Sequence, residues 1–322
     1  GNMDEVCGEF AYDTRAMKNG DVYIGLKADT IDGSQFWEEA FKKDSKVVII
    51  NDIKLDKKSL EKWKDRTVIV VKNSLEALQK IAAYKRILYG NDLKVVAITG
   101  SVGKTSTKDM VANVIAQKYK TLKTMGNYNN HIGLPLTLLH LTDQEVAVVE
   151  MGMNHLGEID LLTNIAKPDL AIITNIGTSH IGNLGSRENI LKAKLEILNG
   201  MKNKEIIVNQ DNDLLGKWHN DNEKNTELKI HSFGIENKCD VWATDIKLNE
   251  NGSEFICHLV NNGKEEEFLV NVPVGGIHFV YNALCATLVG KILNVDNEKI
   301  KNGIESFSLT KKRMEIQNFE NN

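Results

Sequence analysis

The stretch AITGSVGKTSTKDM, residues 97–110, has the residue types and spacing that suit the binding of nucleotide phosphates. Glycines let backbone N–H groups approach phosphate oxygens, and the start of a following helix adds partial positive charge. The Lys104 ammonium would reach the β- and γ-phosphates, and the Thr105 hydroxyl would ligate Mg²⁺. The full pattern has glycine at position 98, where this chain has Ile98, so the match is to a shorter form that starts at Gly100. The alternative is a glycine-rich turn with a solvated lysine. The residues that we expect to contact ATP are Gly100, Ser101, Val102, Gly103, Lys104, Thr105 and Ser106.

Two further side chains have the chemistry of metal ligands. Glu150 ends an apolar run, and a carboxylate at the C-terminal end of a strand faces the crevice where parallel sheets bind nucleotides, where it can hold Mg²⁺. His180 follows the next predicted strand, in ITNIGTSH. The alternatives are a strand-end acid in solvent for Glu150 and an ordinary surface histidine for His180.

Lys194 falls on the apolar face of its predicted helix. If residues 186–201 are helical, steps of about 100° per residue place Lys194 in the same stripe as Ile197, while Lys192 and Glu196 fall on the opposite face. Burial penalises the charged form of an amine, lowers its pKa and favours the neutral form. The alternative is that the stem packs on the apolar surface while the ammonium reaches water.

The elements that must position these residues follow from the hydrophobic pattern. From about Asp92, the apolar runs KVVAIT, EVAVVEM, DLAIIT and EIIVN alternate with amphipathic helical segments, which predicts a parallel sheet covered on both faces. After residue 230, two Asn-Gly pairs between strand-like runs predict hairpins and an antiparallel edge. We therefore predict an α/β fold in which a small N-terminal α/β domain precedes a mostly parallel, doubly wound sheet domain that carries the phosphate loop and an antiparallel edge.

Strands DVYIGL, KVVII and TVIVV and two helices are expected in the N-terminal domain. The apolar stripes that predict the two helices are Phe36, Trp37, Ala40 and Phe41 for the first, and Leu75, Leu78, Ile81, Ala82 and Leu88 for the second.

Composition limits the class of protein. The 322 residues carry a net charge of −4, which argues against a nucleic-acid partner, and no apolar run has the roughly 20 residues that a membrane span needs. The N-terminus lacks the pattern of a secretory signal, and the four cysteines are scattered without the spacing of a zinc site or a disulfide framework. We expect a cytoplasmic protein.

Taken together, these motifs resemble those of the Mur ligases, which add amino acids to the UDP-muramoyl precursor of bacterial peptidoglycan. TGSVGKTST is similar to the family's short phosphate loop, EMGMN to its metal-binding glutamate segment, and TNIGTSH to the segment that carries its histidine ligand. ILKAKLEIL resembles the helix whose lysine is carbamylated in the family, which corresponds to Lys194. The resemblance implies two Mg²⁺ ions held by Thr105, Glu150, His180 and carbamylated Lys194, with Lys104 assisting catalysis. It also implies that Asn282 contacts adenine and that Arg313 contacts the nucleotide.

Within the family, the sequence is most similar to members that add D-alanyl-D-alanine to the UDP-N-acetylmuramoyl tripeptide. DTRAMKNGDVYIGL resembles their uridine-binding domain, with Thr14 and Arg15 in the usual positions. TMGNYNNHIGLPL and EMGMNHLGEID are also similar, and the substrate-binding residues so implied are Asn127, Asn129, Asn130 and His155. The asparagine cluster is equally compatible with an ordinary polar loop.

The resemblance implies a domain layout and a reaction. Residues 1–90 would bind the UDP-sugar, residues 91–314 would form the central ATP-binding domain, and residues 315–322 would begin the linker to a third domain. The chain stops soon after Arg313, so we expect that it lacks this domain, binds both nucleotides and ligates weakly or not at all. We also expect a monomer. The reaction would be the ATP-dependent formation of an amide through an acyl phosphate.

Two alternative functions are compatible with the sequence. Within the same class, the chain would add another amino acid, as other Mur-type or folylpolyglutamate-type ligases do. In a different class, it would be a P-loop small-molecule kinase or a nucleotide switch. A GTPase needs an N-K-x-D motif, and the nearest stretch, NQDND at residue 209, does not fit it.

Overall fold

The computed structural model describes residues 5–261 and 263–309. The strands are β1 Phe10–Ala11, β2 Val22–Ile24, β3 Val47–Asn51, β4 Thr67–Val71, β5 Lys94–Thr99, β6 Thr121–Lys123, β7 Val146–Glu150, β8 Leu170–Ile173, β9 Lys204–Asn209, β10 Leu228–Gly234, β11 Val241–Asn249, β12 Gly252–Asn261 and β13 Lys264–Val272. The α-helices are α1 Trp37–Lys42, α2 Lys57–Lys62, α3 Ser74–Leu88, α4 Lys104–Ala116, α5 Gly133–Leu139, α6 Glu158–Ala166, α7 Ile181–Leu184, α8 Arg187–Leu195, α9 Asp213–Asn222, α10 Ile277–Ile292 and α11 Asn297–Glu305. None of the helices in this described part is long and apolar enough to cross a membrane.

The chain divides into two compact units. Among the described residues, those up to Tyr89 together with His131–Leu141 form the first unit, and Gly90–Asn130 with those from Thr142 onward form the second.

The first unit contains a parallel sheet of four strands in the order β1-β2-β3-β4. Helix α1 covers it with Trp37, Ala40 and Phe41, as the apolar stripe predicts, but Phe36 belongs to a short 3-10 helix before α1 and is 37% exposed. In α3 the prediction is again correct for Leu78 and Ala82 and wrong for Leu88 in the last turn, which is 66% exposed.

The second unit contains nine strands in the order β13-β12-β11-β10-β9-β8-β5-β7-β6. Strands β5 to β11 pair in parallel with one another, while β12 pairs antiparallel with β11 and β13 antiparallel with β12, which gives the antiparallel edge that the two Asn-Gly pairs predict. The predicted fold class is therefore confirmed.

Both faces of the central strands are buried. In β5, Val96 and Ile98 join the core cluster that α4, α10 and α11 form on one face. Val95 and Ala97 point to the other face, because side chains alternate along a strand, and they are fully buried too. Strand β5 lies between β7 and β8, and the chain crosses from one side of β5 to the other after β7. The carboxyl ends of these strands meet at this reversal, which is where such sheets bind ligands.

Candidate functional site

The loop between β5 and α4 requires glycine at two positions. Gly103 precedes the first residue of α4 with a φ of +78°, a left-handed conformation that side chains disfavour. At Gly100 a Cβ atom would lie 1.9 Å from the hydroxyl oxygen of Thr174. The loop therefore passes close to the end of β8 and turns directly into the helix, as a phosphate-binding loop must.

The segment after β8 forms hydrogen bonds with this loop. Asn175 accepts hydrogen bonds from the backbone N–H of Ser101 at 3.0 Å and of Val102 at 3.1 Å, through its carbonyl and its side-chain oxygen respectively. The Ser101 hydroxyl in turn accepts from the Gly177 N–H at 2.9 Å. These bonds fix the path of the loop main chain.

The phosphate-loop lysine lies over the loop itself. The Lys104 ammonium donates to the carbonyl of Gly100 at 2.9 Å, and the Ser101 carbonyl lies 3.5 Å from it. A cation held above the glycines at a helix N-terminus creates a site suited to an anion.

Glu150 and Thr105 meet where β7 ends beside the first turn of α4. The Thr105 hydroxyl donates to one carboxylate oxygen of Glu150 at 2.9 Å, and the Asn129 amide donates to the other at 2.8 Å. Glu150 is only 2% exposed. A carboxylate and a hydroxyl oxygen next to a phosphate loop form a donor set that suits Mg²⁺, so these residues fit the metal that the sequence implies. Within the described residues, no group of three His, Cys, Asp or Glu side chains forms a further candidate site.

Lys194 is buried, as its place on the helix predicts. It is 2% exposed, and among the described residues its amine makes no hydrogen bond or ion pair. Burial, together with the like charge of Lys104, lowers the pKa of Lys194 to about 7. About half of the amine is therefore neutral at pH 7, and it lies within electrostatic reach of the phosphate-loop lysine.

The helix that carries Lys194 is shorter than the sequence suggests. Helix α8 ends at Leu195, and Glu196–Gly200 form a 3-10 helix. Glu196 does not face solvent freely as expected, because its carboxylate accepts hydrogen bonds from the N–H groups of Gly157 and Asp160 at the start of α6. Gly157 has no side chain that could cap α6, and the Glu196 carboxylate takes that place. The same hydrogen bonds connect the chain after α8 to the start of α6.

His180 and most of the predicted substrate-binding residues lie at exposed positions. His180 is exposed in the left-handed conformation just before α7, and His155 is exposed before α6. Asn127 and Asn130 are exposed as well, so Asn129 is the member of its cluster that reaches Glu150. Arg313 lies outside the described residues.

A cavity of about 220 Å³ opens beside the phosphate loop, lined by Val102, Gly103, Ser106, Thr107, Thr174, Asn175, Asn209, Phe233, His278, Tyr281, Asn282 and Cys285. Asn282, predicted from the resemblance, contacts the Thr107 hydroxyl at 2.8 Å through its carbonyl oxygen. Its amide nitrogen is buried, and no described residue accepts a hydrogen bond from it. Buried polar groups are normally paired, so this nitrogen suits an acceptor on a ligand in the cavity.

The sequence analysis missed the aromatic wall of this cavity. Burial lowers the pKa of His278 and so disfavours its charged form, and Phe233 lies edge-on to Tyr281. The Tyr281 hydroxyl donates to Asp211 at 2.9 Å, and Asp211 also accepts from the Ile235 and Glu236 N–H groups. Asp211 belongs to NQDND, the stretch that does not fit the GTPase pattern. Position is the signal for this residue, since it lies two residues after Asn209, the last residue of β9.

The first unit carries a separate cleft of about 560 Å³. Thr14 and Arg15 line it, as do Asp13 and Glu39. The Thr14 hydroxyl donates to Glu39 at 2.8 Å, whereas the guanidinium of Arg15 is exposed and pairs with Asp13 at 2.7 Å. These hydrogen bonds to Arg15 lower the pKa of Asp13 to about 2. The two predicted substrate-binding residues thus share one cleft, in which an arginine stays accessible.

Comparison with known proteins finds relatives along almost the whole chain. Residues 10–86 match the model of the "Mur ligase family, catalytic domain" and residues 98–290 that of the "Mur ligase middle domain". The Bacillus subtilis UDP-N-acetylmuramoyl-tripeptide–D-alanyl-D-alanine ligase is 38% identical over 95% of this chain, and the Escherichia coli ligase of the same name is 32% identical over 94%. The chain spans 63% and 64% of the length of these two relatives.

Solved structures agree with this assignment. A crystal structure of MurF from Acinetobacter baumannii superposes with a TM-score of 0.84 at 34% identity and covers 96% of this chain and 65% of its own. MurF ligase from Thermotoga maritima, crystallised in complex with ADP, superposes with a TM-score of 0.76 at 27% identity over 94% of this chain and 66% of its own. The protein belongs to the Mur ligase family.

Proposed function

We propose that this protein is an ATP-dependent carboxylate–amine ligase that adds D-alanyl-D-alanine to the UDP-N-acetylmuramoyl tripeptide of peptidoglycan synthesis. The observation that carries this proposal is the buried Lys194 amine, whose pKa is lowered to about 7 by burial and by the charge of Lys104 in the phosphate loop. A kinase or switch has no need of a neutral amine at that point. A ligase of this family uses one as the precursor of an anionic ligand. The names of the relatives support the choice of substrates.

ATP would occupy the second unit. Its phosphates would lie on the loop from Gly100 to Ser106, and its base would fill the cavity beside Asn282. The unpartnered Asn282 amide nitrogen and the aromatic wall support a planar base with a hydrogen-bond acceptor. The ADP complex of the Thermotoga maritima relative supports this choice of nucleotide.

Two Mg²⁺ ions would be held by oxygen ligands around the loop. Thr105 and Glu150 would hold the first, while His180 and carbamylated Lys194 would contribute to the second. Carbamylation joins the neutral amine nitrogen to the carbon of CO₂ with loss of one proton, and the product carries an anionic oxygen pair. In such a site, bound metal ions would neutralise part of the negative charge of the phosphates.

The reaction would proceed in two displacements. A terminal carboxylate oxygen of the tripeptide attacks the γ-phosphorus, the bond to the β-phosphate oxygen breaks, and ADP leaves. The free amine of D-alanyl-D-alanine then attacks the acyl carbon, loses a proton and displaces inorganic phosphate. Lys104 and the N-terminus of α4 would offset the repulsion between the anionic carboxylate and the triphosphate.

The first unit would bind the uridine end of the substrate. Its cleft contains Thr14 and the accessible guanidinium of Arg15, which suits the uridine diphosphate. Asn127, Asn129, Asn130 and His155 would then face the peptide and the reacting groups. We propose the layout of residues 1–90 for the UDP-sugar, 91–314 for ATP and 315–322 as a linker. A cytoplasmic location and a monomeric state complete the proposal.

The decisive experiment supplies ATP, Mg²⁺ and UDP-N-acetylmuramoyl tripeptide with a panel of amines and follows the products by mass spectrometry. We expect a slow ligation whose product has gained one D-alanyl-D-alanine, and no product with L-lysine, diaminopimelate or glutamate. Mass spectrometry detects a small yield of product, so a slow ligation is sufficient for the test. A stable phosphorylated product formed without any amine would establish the kinase alternative instead, and a glutamate or lysine adduct would establish another ligase of the class.

A further inference from the structure

Helix α4 contains, besides Lys104, a buried lysine that has no role in the proposed chemistry. Lys108 lies three residues after Thr105 and is 2% exposed. Removing an ammonium from water costs several kcal/mol unless partners replace the water, so a buried lysine marks a place where its bonds matter.

Its partners lie at the end of β6 and on its own helix. The Lys108 ammonium donates to the Thr124 carbonyl at 2.7 Å and lies 3.2 Å from the carboxylate of Asp109. Lys123 pairs with the same carboxylate oxygen at 2.9 Å, and its side chain is 38% exposed. Lys108 is the member of this lysine pair that bonds to Thr124.

Thr124 connects this bond to the candidate metal ligand. It is fully buried, its N–H donates to Val148 at 3.1 Å, and its hydroxyl accepts the backbone N–H of Glu150 at 3.0 Å. The loop that starts at Thr124 also carries Asn129, whose amide holds the Glu150 carboxylate. Helix α4 therefore fixes Glu150 twice, directly through Thr105 and indirectly through Lys108 and Thr124.

We propose that Lys108 is a positioning residue that orients the Glu150 carboxylate for its metal ion by anchoring Thr124 and the loop that follows. The inference rests on the proposed role of Glu150 in holding Mg²⁺. Groups that orient a metal ligand from behind commonly change metal affinity by about 10- to 100-fold when they are removed.

The test compares Lys108→Met with Lys123→Met. Both variants remove one positive charge that is paired with Asp109, but the control leaves the bond to Thr124 intact. The first readout is hydrogen exchange of residues 124–130 in the protein alone, which needs no ligand. The second is the affinity for a fluorescent ATP analogue with and without Mg²⁺.

We expect faster exchange of residues 124–130 in Lys108→Met, and a roughly 10-fold loss of affinity that requires Mg²⁺ to be present. Lys123→Met should behave as the wild type in both readouts. Equal losses with and without Mg²⁺, or unchanged exchange, would overturn the proposal. If the wild-type chain itself showed no Mg²⁺-dependent affinity, the proposed function would fail, while the exchange readout would still test the anchoring.

Lys108→Met is at risk of misfolding because the site is fully packed. Thr124→Val breaks the next link in the same connection with little change of volume, and it leaves the buried Glu150 N–H without its acceptor. The same selective loss with Mg²⁺ is expected, and Thr124→Ser should restore it. A Thr124→Val protein with full Mg²⁺-dependent affinity would refute the connection.

Discussion

Lys194 makes the stability of this protein depend on pH in an unusual direction. Its folded-state pKa of about 7 lies below the ordinary value of 10.5 that it regains on unfolding. Between these two values the unfolded chain binds a proton that the folded chain does not, so the free energy of unfolding rises with pH. Below pH 7 both states are protonated and the contribution levels off. From pH 7 to pH 9 the gain is about 2 kcal/mol.

The measurement is urea unfolding at several pH values under argon, with wild type, Lys194→Met and Lys192→Met. Lys192 is exposed on the same helix, so its removal should leave the pH dependence unchanged. Lys194→Met should lack the extra gain of about 2 kcal/mol. If the wild-type and Lys194→Met curves ran parallel from pH 7 to pH 9, the amine would carry its ordinary pKa and the reasoning would be refuted.

The same pKa determines whether CO₂ can add. At pH 7.5 about three-quarters of an amine with a pKa near 7 is neutral, against about one part in a thousand at the ordinary pKa. We expect ¹³C-labelled bicarbonate to give a carbamate resonance in wild type and in Lys192→Met, and none in Lys194→Met. A spectrum without that resonance in the wild type would remove the second metal ligand from the proposal.

Three further predictions concern the two units. Gly100→Ala should destabilise the protein by about 2–3 kcal/mol in urea unfolding, because the added Cβ would lie 1.9 Å from the Thr174 hydroxyl oxygen; unchanged stability would contradict the geometry. Thr105→Val should weaken Mg²⁺-dependent binding of an ATP analogue by about 10- to 100-fold, since Glu150 loses its partner, and calorimetry measures this. Arg15→Ala should weaken UDP binding in the same assay with stability unchanged within about 0.5 kcal/mol, because the side chain is exposed; equal UDP affinity would exclude it from the site.

Much of the fold could be predicted because its signals are local. The apolar runs, the two Asn-Gly turns and the phosphate loop are each read within a few residues, and helical spacing alone places Lys194 on a buried face. The burial of a residue also depends on what packs against its element, and there the sequence pattern gives a wrong prediction. The last turn of α3 keeps its helical spacing, yet Leu88 is exposed, since periodicity shows which residues share a face and not how far the cover extends.

The contacts that build the site are not local and could not be predicted from spacing. Glu196 caps a helix that begins 38 residues earlier in the chain, at Glu158, and Asn129 reaches Glu150 from a loop after another strand. Tyr281 is held by Asp211 through a bond that spans 70 residues. Each of these contacts depends on strand order, which the sequence pattern leaves open.

The strand order also brings Lys194 within electrostatic reach of Lys104. Whether the two side chains repel or attract each other depends on the charge that Lys194 carries. In its ammonium form Lys194 is opposed by burial and by the like charge of Lys104, and both lower its pKa. The proposed carbamate reverses the second effect, because an anion next to the Lys104 ammonium is attracted where the cation was repelled. Burial lowers the local dielectric constant and so strengthens that attraction, but it also opposes any charged form, so the carbamate depends on Lys104 and on the metal ions for compensation. The Lys104 charge that helps to keep the free amine neutral would therefore also help to stabilise its product.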